Sequence, residues 1–308
     1  MKLFTNKELL NLAKKGGYAV GAFNINNLEI LQAIVSAAES EKSPAIIAVS
    51  EGAIQYAGLA HIVSMAEIAA QMASIPLSLH LDHGKDLNII QSCLENGFTS
   101  VMIDGSHLPF DENIAITKKV VEMARKKGVS VEGELGRLKG IEEKVSVSDQ
   151  EAYLTDPQAA GQFVKKTEVD ALAIAIGTSH GAYKFKGEVR LDFERLKEIA
   201  GTVEIPLVLH GASGVPQPIL EKAERFGAKL PGAKGIPDEA IQRAISLGIC
   251  KINIDTDLRL SFVSALREVL TTKPEEFDPR KILGPGREAM KQTVQSKMRL
   301  FGSSGKAI

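Results

Sequence analysis

Short apolar runs that end in glycine or a polar group alternate along this chain with longer stretches whose apolar residues recur at helical spacing. The runs are "YAVGAFNI" (18–25), "AIIAVS" (45–50), "LSLHLD" (77–82), "SVMIDG" (100–105), "SVEGELG" (130–136), "ALAIAIG" (171–177), "LVLHGAS" (207–213) and "KINIDT" (251–256). Most are nearly continuous in apolar residues, which predicts strands buried on both faces. Between them lie amphipathic stretches such as "NLEILQAIVSAAES" and "DENIAITKKVVEMARKKG", the second expected to be capped by Asp111 and stopped by Gly128. Two later helices open with Asp156–Pro157 and Asp278–Pro279, where proline suits the first helical turn. Eight strands separated by helices predict an α/β fold, a (β/α)8 TIM barrel formed by residues 1–308 as one domain. Extra helices are expected at about 274–302. Insertions follow strands five (137–155) and seven (214–236), and the first is a candidate lid over the barrel mouth.

Composition changes this picture little. The chain has 308 residues, 44% hydrophobic and 24% charged, with a net charge of −1, so it carries no electrostatic footprint for nucleic acid or a membrane surface. Its apolar runs are too short for a bilayer, which needs ~20 residues. The opening "MKLFTNKELLNLAKKGG" reads as an amphipathic helix, because Asn, Lys and Glu interrupt the apolar core of a signal peptide. Cys93 and Cys250 lie far apart without companions, so both read as core thiols in a cytoplasmic protein.

The strand ends carry the chemistry. In order they offer Asn24, Ser50, Asp82 with His83, Asp104, Glu134, the "GTSHG" turn with His180, His210 and Asp255. In a barrel these ends converge on one mouth. His83, His180 and His210 each sit beside glycine at the ends of strands three, six and seven. Three neutral imidazoles converging on a cleft make an open zinc site; the alternative is three unrelated surface histidines. His80 is expected to point into the barrel as a supporting group, His61 to be a plain helix residue, and His107 to lie near the mouth without binding metal. Asp82 suits a general acid/base or an orienting group for an imidazole. Asp104 and Glu134 are candidates to line the cavity or hold a second cation. "HGASG" (210–214), "GTSHG" (177–181) and "NIDT" (253–256) put small and polar residues on neighbouring strands, where such barrels cradle phosphate. No Walker lysine motif and no strand-linked GxGxxG is present, which argues against a nucleotide.

In this order, "GAFNINN", "SEGAIQY", "HLDHG", "GFTSVMID", "VEGELGRLKGIEE", "AIGTSHGAYKFKG", "LVLHGAS", "INIDTDLR" and "FDPRKILGP" make the chain resemble, nearly end to end, the class II metal-dependent fructose-1,6-bisphosphate aldolases. The resemblance implies reversible cleavage of fructose 1,6-bisphosphate to dihydroxyacetone phosphate and glyceraldehyde 3-phosphate in glycolysis and gluconeogenesis, through a zinc-stabilised enediolate. By similarity His83, His180 and His210 hold zinc, with cobalt as an alternative, and Asp104 and Glu134 match positions for an alternative or second metal. Asp82 matches the residue that handles the C4-hydroxyl proton. Glu142 matches the mobile carboxylate of the lid, with Glu143 beside it as the competing assignment. Gly181, Lys184, Gly211, Ser213, Asn253 and Thr256 match phosphate contacts, near which a monovalent cation such as Na⁺ or K⁺ binds. Ser50 matches a substrate contact at the other end, and Arg259 and Arg280 are candidates for the second phosphate. Arg280 is expected to serve a neighbouring subunit of a homodimer or homotetramer.

One departure is Gly133, where relatives often carry alanine. The runner-up is a tagatose 1,6-bisphosphate aldolase, whose substrate differs in the C4 hydroxyl; Asp255 is the expected discriminator. A lysine-based aldolase is disfavoured because Lys251 begins its strand, on the wrong side of the barrel, and Lys184 is accounted for by phosphate. A non-catalytic sugar-phosphate-binding barrel is the remaining alternative, since fold alone does not fix function.

Overall fold

The computed structural model describes residues 2–136, 139–142, 145–147, 153–180, 191–230 and 234–307, with backbone alone for 139–142, 145–147 and 179–180. The chain runs α1 (Asn6–Gly16), β1 (Val20–Asn24), α2 (Leu28–Glu41), β2 (Ala45–Ser50), α3 (Glu51–Ala57), α4 (Leu59–Met72), β3 (Leu77–Gly84), α5 (Leu87–Glu95), β4 (Ser100–Ile103), α6 (Phe110–Arg125) and β5 (Ser130–Leu135). It continues with β6 (Lys139–Glu142), β7 (Val145–Val147), α7 (Pro157–Thr167), β8 (Ala171–Ile174), β9 (Ser179–His180), α8 (Phe193–Thr202), β10 (Leu207–Leu209), α9 (Gln217–Arg225), α10 (Asp238–Ser246), β11 (Ile249–Ile254), α11 (Thr256–Thr272) and α12 (Pro279–Leu300). Strands β1, β2, β3, β4, β5, β8, β10 and β11 close in that order into a parallel barrel, so the (β/α)8 architecture read from the sequence is the one observed.

Outward residues of the strands, among them Phe23, Ile47, Leu79, Leu81, Val101, Leu172 and Ile252, merge with the inner faces of the helices into one large apolar cluster. The barrel interior divides into two layers. Its lower half is filled by small and branched residues such as Val20, Ala22, Ile46, Ala48, Ala173 and Val208. Leu9, Leu10 and Ala13 of α1 pack against them and plug the bottom. That helix is fixed by a capping box: Glu8 N donates to Thr5 Oγ1 at 3.2 Å, and Thr5 N donates to Glu8 Oε2 at 2.7 Å. The upper half is polar, and the site lies there.

Local departures from the sequence reading have plain causes. Asp111 lies in the first turn of α6, behind a Pro109 cap, where its charge faces the helix N-terminus. The segment after β10 contains α9, whose Leu220 packs with Val215 and Leu260 in a small separate cluster. A three-stranded sheet of β7, β6 and β9 stands apart from the barrel. Both cysteines are buried and free, and burial pushes the Cys93 thiol up to about 12.

Gly133 also has a structural reason. A Cβ there would meet Phe163 Cε1 at 2.9 Å and Val169 Cγ1 at 3.2 Å, so the α7 ring occupies the space a methyl group would fill. Gly133→Ala is expected to cost about 1–3 kcal/mol of overpacking. Phe163→Leu in the same chain should relieve most of it, as urea denaturation of the two variants can measure.

Candidate active site and metal centre

A regular strand alternates its side chains, so adjacent residues cannot both face the barrel interior. Asp82 and His83 evade this rule. The β3–β4 register slips between Leu81 and Gly84, and His83 adopts φ 47°, a left-handed conformation rarely taken by a residue with a side chain. The bulge brings Asp82, His83 and His210 together, with one donor atom of each within 4.8 Å of the others. The His83 and His210 rings meet edge to face, their centroids 4.4 Å apart. A second group, His83, Asp104 and Glu134, meets the same distance criterion.

The neighbours of the rings fix their tautomers. A carboxylate only accepts, so His83 Nδ1 donates to Asp104 Oδ2 at 3.2 Å, and a neutral His83 ring would carry its lone pair on Nε2. His210 Nε2 donates to Glu132 Oε1 at 2.8 Å, which leaves the lone pair on Nδ1. Carboxylates that orient imidazoles in this way recur behind metal-ligating histidines. The donor chemistry of this cluster, imidazoles beside carboxylates, fits a divalent cation, zinc in particular.

Below His210 lies a fully buried network. Lys251 Nζ donates to Glu132 Oε2 at 2.7 Å and to His80 Nε2 at 3.1 Å, and His80 Nδ1 donates to Ser100 Oγ at 2.9 Å. Burial, with Lys251 beside it, pushes His80 down to about 3, so it is neutral and its 3.7 Å approach to Glu132 is no ion pair. Burial opposes the Glu132 charge, but Lys251 and the His210 hydrogen bond outweigh it and hold the carboxyl below the usual range. Burial also opposes the Asp104 charge, and His83, Lys85 and Ser106 overcome that as well. His210 is pushed down by burial and by His83.

This network corrects the reading of Lys251. The residue does not lie at the far side of the barrel: the β10–β11 ladder slips beside it, and it points inward in the layer beneath His210. Its ammonium is committed to Glu132, which the strand-end reading had passed over. The signal for Glu132 was its place two residues before Glu134, on the same face of β5.

Asp82 is buried and held from two sides: Asn24 Nδ2 and Asn253 Nδ2 each donate to it at 2.8 Å. Asn253 Oδ1 is buried with no hydrogen-bond partner among the described residues. Around the mouth lie Gly211 at φ 62°, buried Ser213, and Thr256 at the start of α11. Asp255 precedes that helix and pairs with Arg259 Nε at 2.7 Å. Ser50 caps α3, its hydroxyl accepting from Ala53 N, in register with Asp82. Arg280, in the first turn of α12, is 90% exposed and pairs with Asp278. The backbones of His180 and Glu142 lie in β9 and β6, whereas Gly181, Lys184 and Glu143 fall outside the described residues. His61 hydrogen-bonds the Ala57 carbonyl and His107 is exposed.

The family model for "Fructose-bisphosphate aldolase class-II" matches residues 4–306. A fructose-bisphosphate aldolase of Thermus caldophilus is 54% identical over 99% of this chain and 100% of its own length. One from Geobacillus stearothermophilus is 48% identical over 100% of this chain and 99% of its own. Among solved structures, the YdjI aldolase of Escherichia coli K12 superposes with a TM-score of 0.83 at 35% identity, covering 99% of this chain and 100% of that one.

Removing one partner of a buried ion pair strands the other charge. Lys251→Met is therefore expected to destabilise the fold by about 3–5 kcal/mol and to lower the affinity for zinc, because Glu132 then loses its counter-charge. Urea unfolding and zinc titration of the variant check both effects. Unchanged stability would show that Glu132 is neutral in the barrel.

Proposed function

The chain belongs to the class II fructose-bisphosphate aldolase family, and on that premise we propose that it cleaves fructose 1,6-bisphosphate reversibly to dihydroxyacetone phosphate and glyceraldehyde 3-phosphate with a divalent metal, zinc or cobalt. The observation that carries the metal reading is the β3 bulge, which spends backbone strain to turn both Asp82 and His83 toward His210. His83 and His210, with His180 as the third imidazole, are the proposed ligands; Asp104 and Glu134 are proposed for an alternative position. Zinc, when bound, supplies Lewis-acid polarisation of the substrate ketone.

The remaining steps fall to the chain's own groups. Asp82, fixed by two amide donors, takes the C4-hydroxyl proton as the C3–C4 bond breaks and returns it in the aldol direction. Glu142 exchanges the proton on the dihydroxyacetone-phosphate carbon, with Glu143 as the competing assignment. Gly181, Lys184, Gly211, Ser213, Asn253 and Thr256 take one phosphate, with Na⁺ or K⁺ beside it. Ser50, Arg259 and Arg280 serve the other end of the substrate. Asp255 is proposed to read the C4 configuration, since a site that hydrogen-bonds a hydroxyl rejects a misplaced one. Among the described residues no helix is long and apolar enough to cross a membrane, and a cytoplasmic setting accords with the proposed reaction.

The central test strips and restores metal in a cleavage assay with fructose and tagatose 1,6-bisphosphates. Chelation should abolish cleavage, Zn²⁺ or Co²⁺ should restore it, and fructose should be preferred by at least ~10-fold in kcat/KM, corresponding to ~1.4 kcal/mol. Asp82→Asn should keep its metal and lose about 10²–10⁴-fold in turnover. Full activity without metal, or equal use of both sugars, would overturn the assignment.

Assembly is proposed to complete the site. Arg280 and its neighbour Phe277, 89% exposed, stand out from the α12 end, which suits contact with a second copy in a homodimer or homotetramer. Mixing Arg280→Ala and Asp82→Asn chains should then restore part of the activity through hybrid sites. No recovery, with subunit exchange verified, assigns Arg280 to its own chain or to no role.

A further inference from the structure

Asp257, the second residue of α11, is a fully buried carboxylate outside the residues that group around the candidate metal site. Its carboxylate accepts Gly214 N at 3.0 Å and Val215 N at 2.7 Å, and Lys297 Nζ of α12 sits 3.0 Å from Oδ2. One side chain thus joins the segment after β10, the first turn of α11 and the C-terminal helix. Ser261 and Thr293 add a second α11–α12 bond at 2.7 Å.

Two features make this carboxylate decisive for the position of the 210–215 segment. Val215 sits at φ 46°, which a β-branched residue resists, so the segment needs an external hold. Behind it lies a cleft of about 1230 Å³, bounded by Gly214, Pro216 and Pro218 on one side and by Ser264, Gln292 and Lys297 on the other. Packing on that side is therefore thin. The Lys297 ammonium makes a close approach on this side, since a Cβ at Gly214 would lie 2.8 Å from Nζ; on the other, the Gly235 backbone abuts Gly214 and Ile236 N donates to the Ser213 carbonyl at 3.2 Å.

Gly211 and Ser213 lie on one side of this clamp, Asn253 and Thr256 on the other. These are two parts of the proposed phosphate cradle, beside Gly181 and Lys184, and the inference rests on that reading. We propose that Asp257 and Lys297 are positioning residues that set the separation of those two parts, so that the C-terminal helix tunes phosphate affinity through a buried ion pair. The groups touch no reacting atom. Their loss should weaken binding in ground and transition states alike, which raises KM and spares kcat.

Lys297→Met and Lys297→Arg in the zinc-loaded enzyme test this. The Met variant should raise KM for fructose 1,6-bisphosphate by about tenfold, change kcat less than about threefold and keep its zinc, while Arg recovers most of the KM. Amide exchange at Gly214 and Val215 should speed up in the Met variant. Should Met not fold, Lys297→Gln, which keeps a donor, is held to the same expectations. An unchanged KM in a folded variant, or parallel loss of kcat and zinc, overturns the proposal. If the unmutated enzyme cleaves neither sugar, the functional reading fails, and inorganic phosphate titration of the same variants decides the clamp: weakened binding supports it and unchanged binding overturns it.

Discussion

The site depends on one buried carboxylate. Glu132 is buried inside a closed barrel, and its charge survives because Lys251 lies 2.7 Å away and His210 donates at 2.8 Å. Each member of the group constrains the next. Lys251 needs Glu132 as counter-ion, Glu132 fixes the tautomer of His210, and His80 stays neutral so that it can accept from the lysine. An apolar filling of the same volume would fold as well or better, since buried ion pairs are weak sources of stability. What the ions supply is orientation: the His210 lone pair is aimed upward, toward His83 and Asp82.

The fold was legible because its signal is repeated. Eight apolar runs with polar ends recur at barrel spacing, and an error of two or three residues in any one leaves the architecture intact. Several observed strands are shorter than their runs; β10, for example, ends at Leu209 although "LVLHGAS" continues to 213.

Groups at strand ends were legible for the same reason, and groups one layer deeper were not. Glu132 and Lys251 lie two residues before Glu134 and Asn253 on inward faces. Alternation alone places them correctly, but a charged residue in mid-barrel runs against the expectation of an apolar interior, and only the presence of both signs makes it tenable. The Asp82–His83 bulge is a different case. Alternation forbids two adjacent inward residues, and nothing local in "LHLDHGKD" announces the register slip. Asp257 is legible only as a helix start, because its partners come from segments 42 and 40 residues away in the chain.

The proposed site draws its residues from two separate sheets. Asp82, His83 and His210 stand on or just beyond strands whose outward faces are locked into the main apolar cluster. His180 and Glu142 do not share that support: their strands, β9 and β6, pair with each other outside the barrel, Lys139 opposite Ser179 and Gly140 opposite His180. The backbone that carries the proposed third imidazole is thus in register with the backbone that carries the proposed mobile carboxylate. The proposed metal ligand and the proposed proton carrier are therefore linked by the pairing of β9 with β6 rather than by the barrel's own ladder.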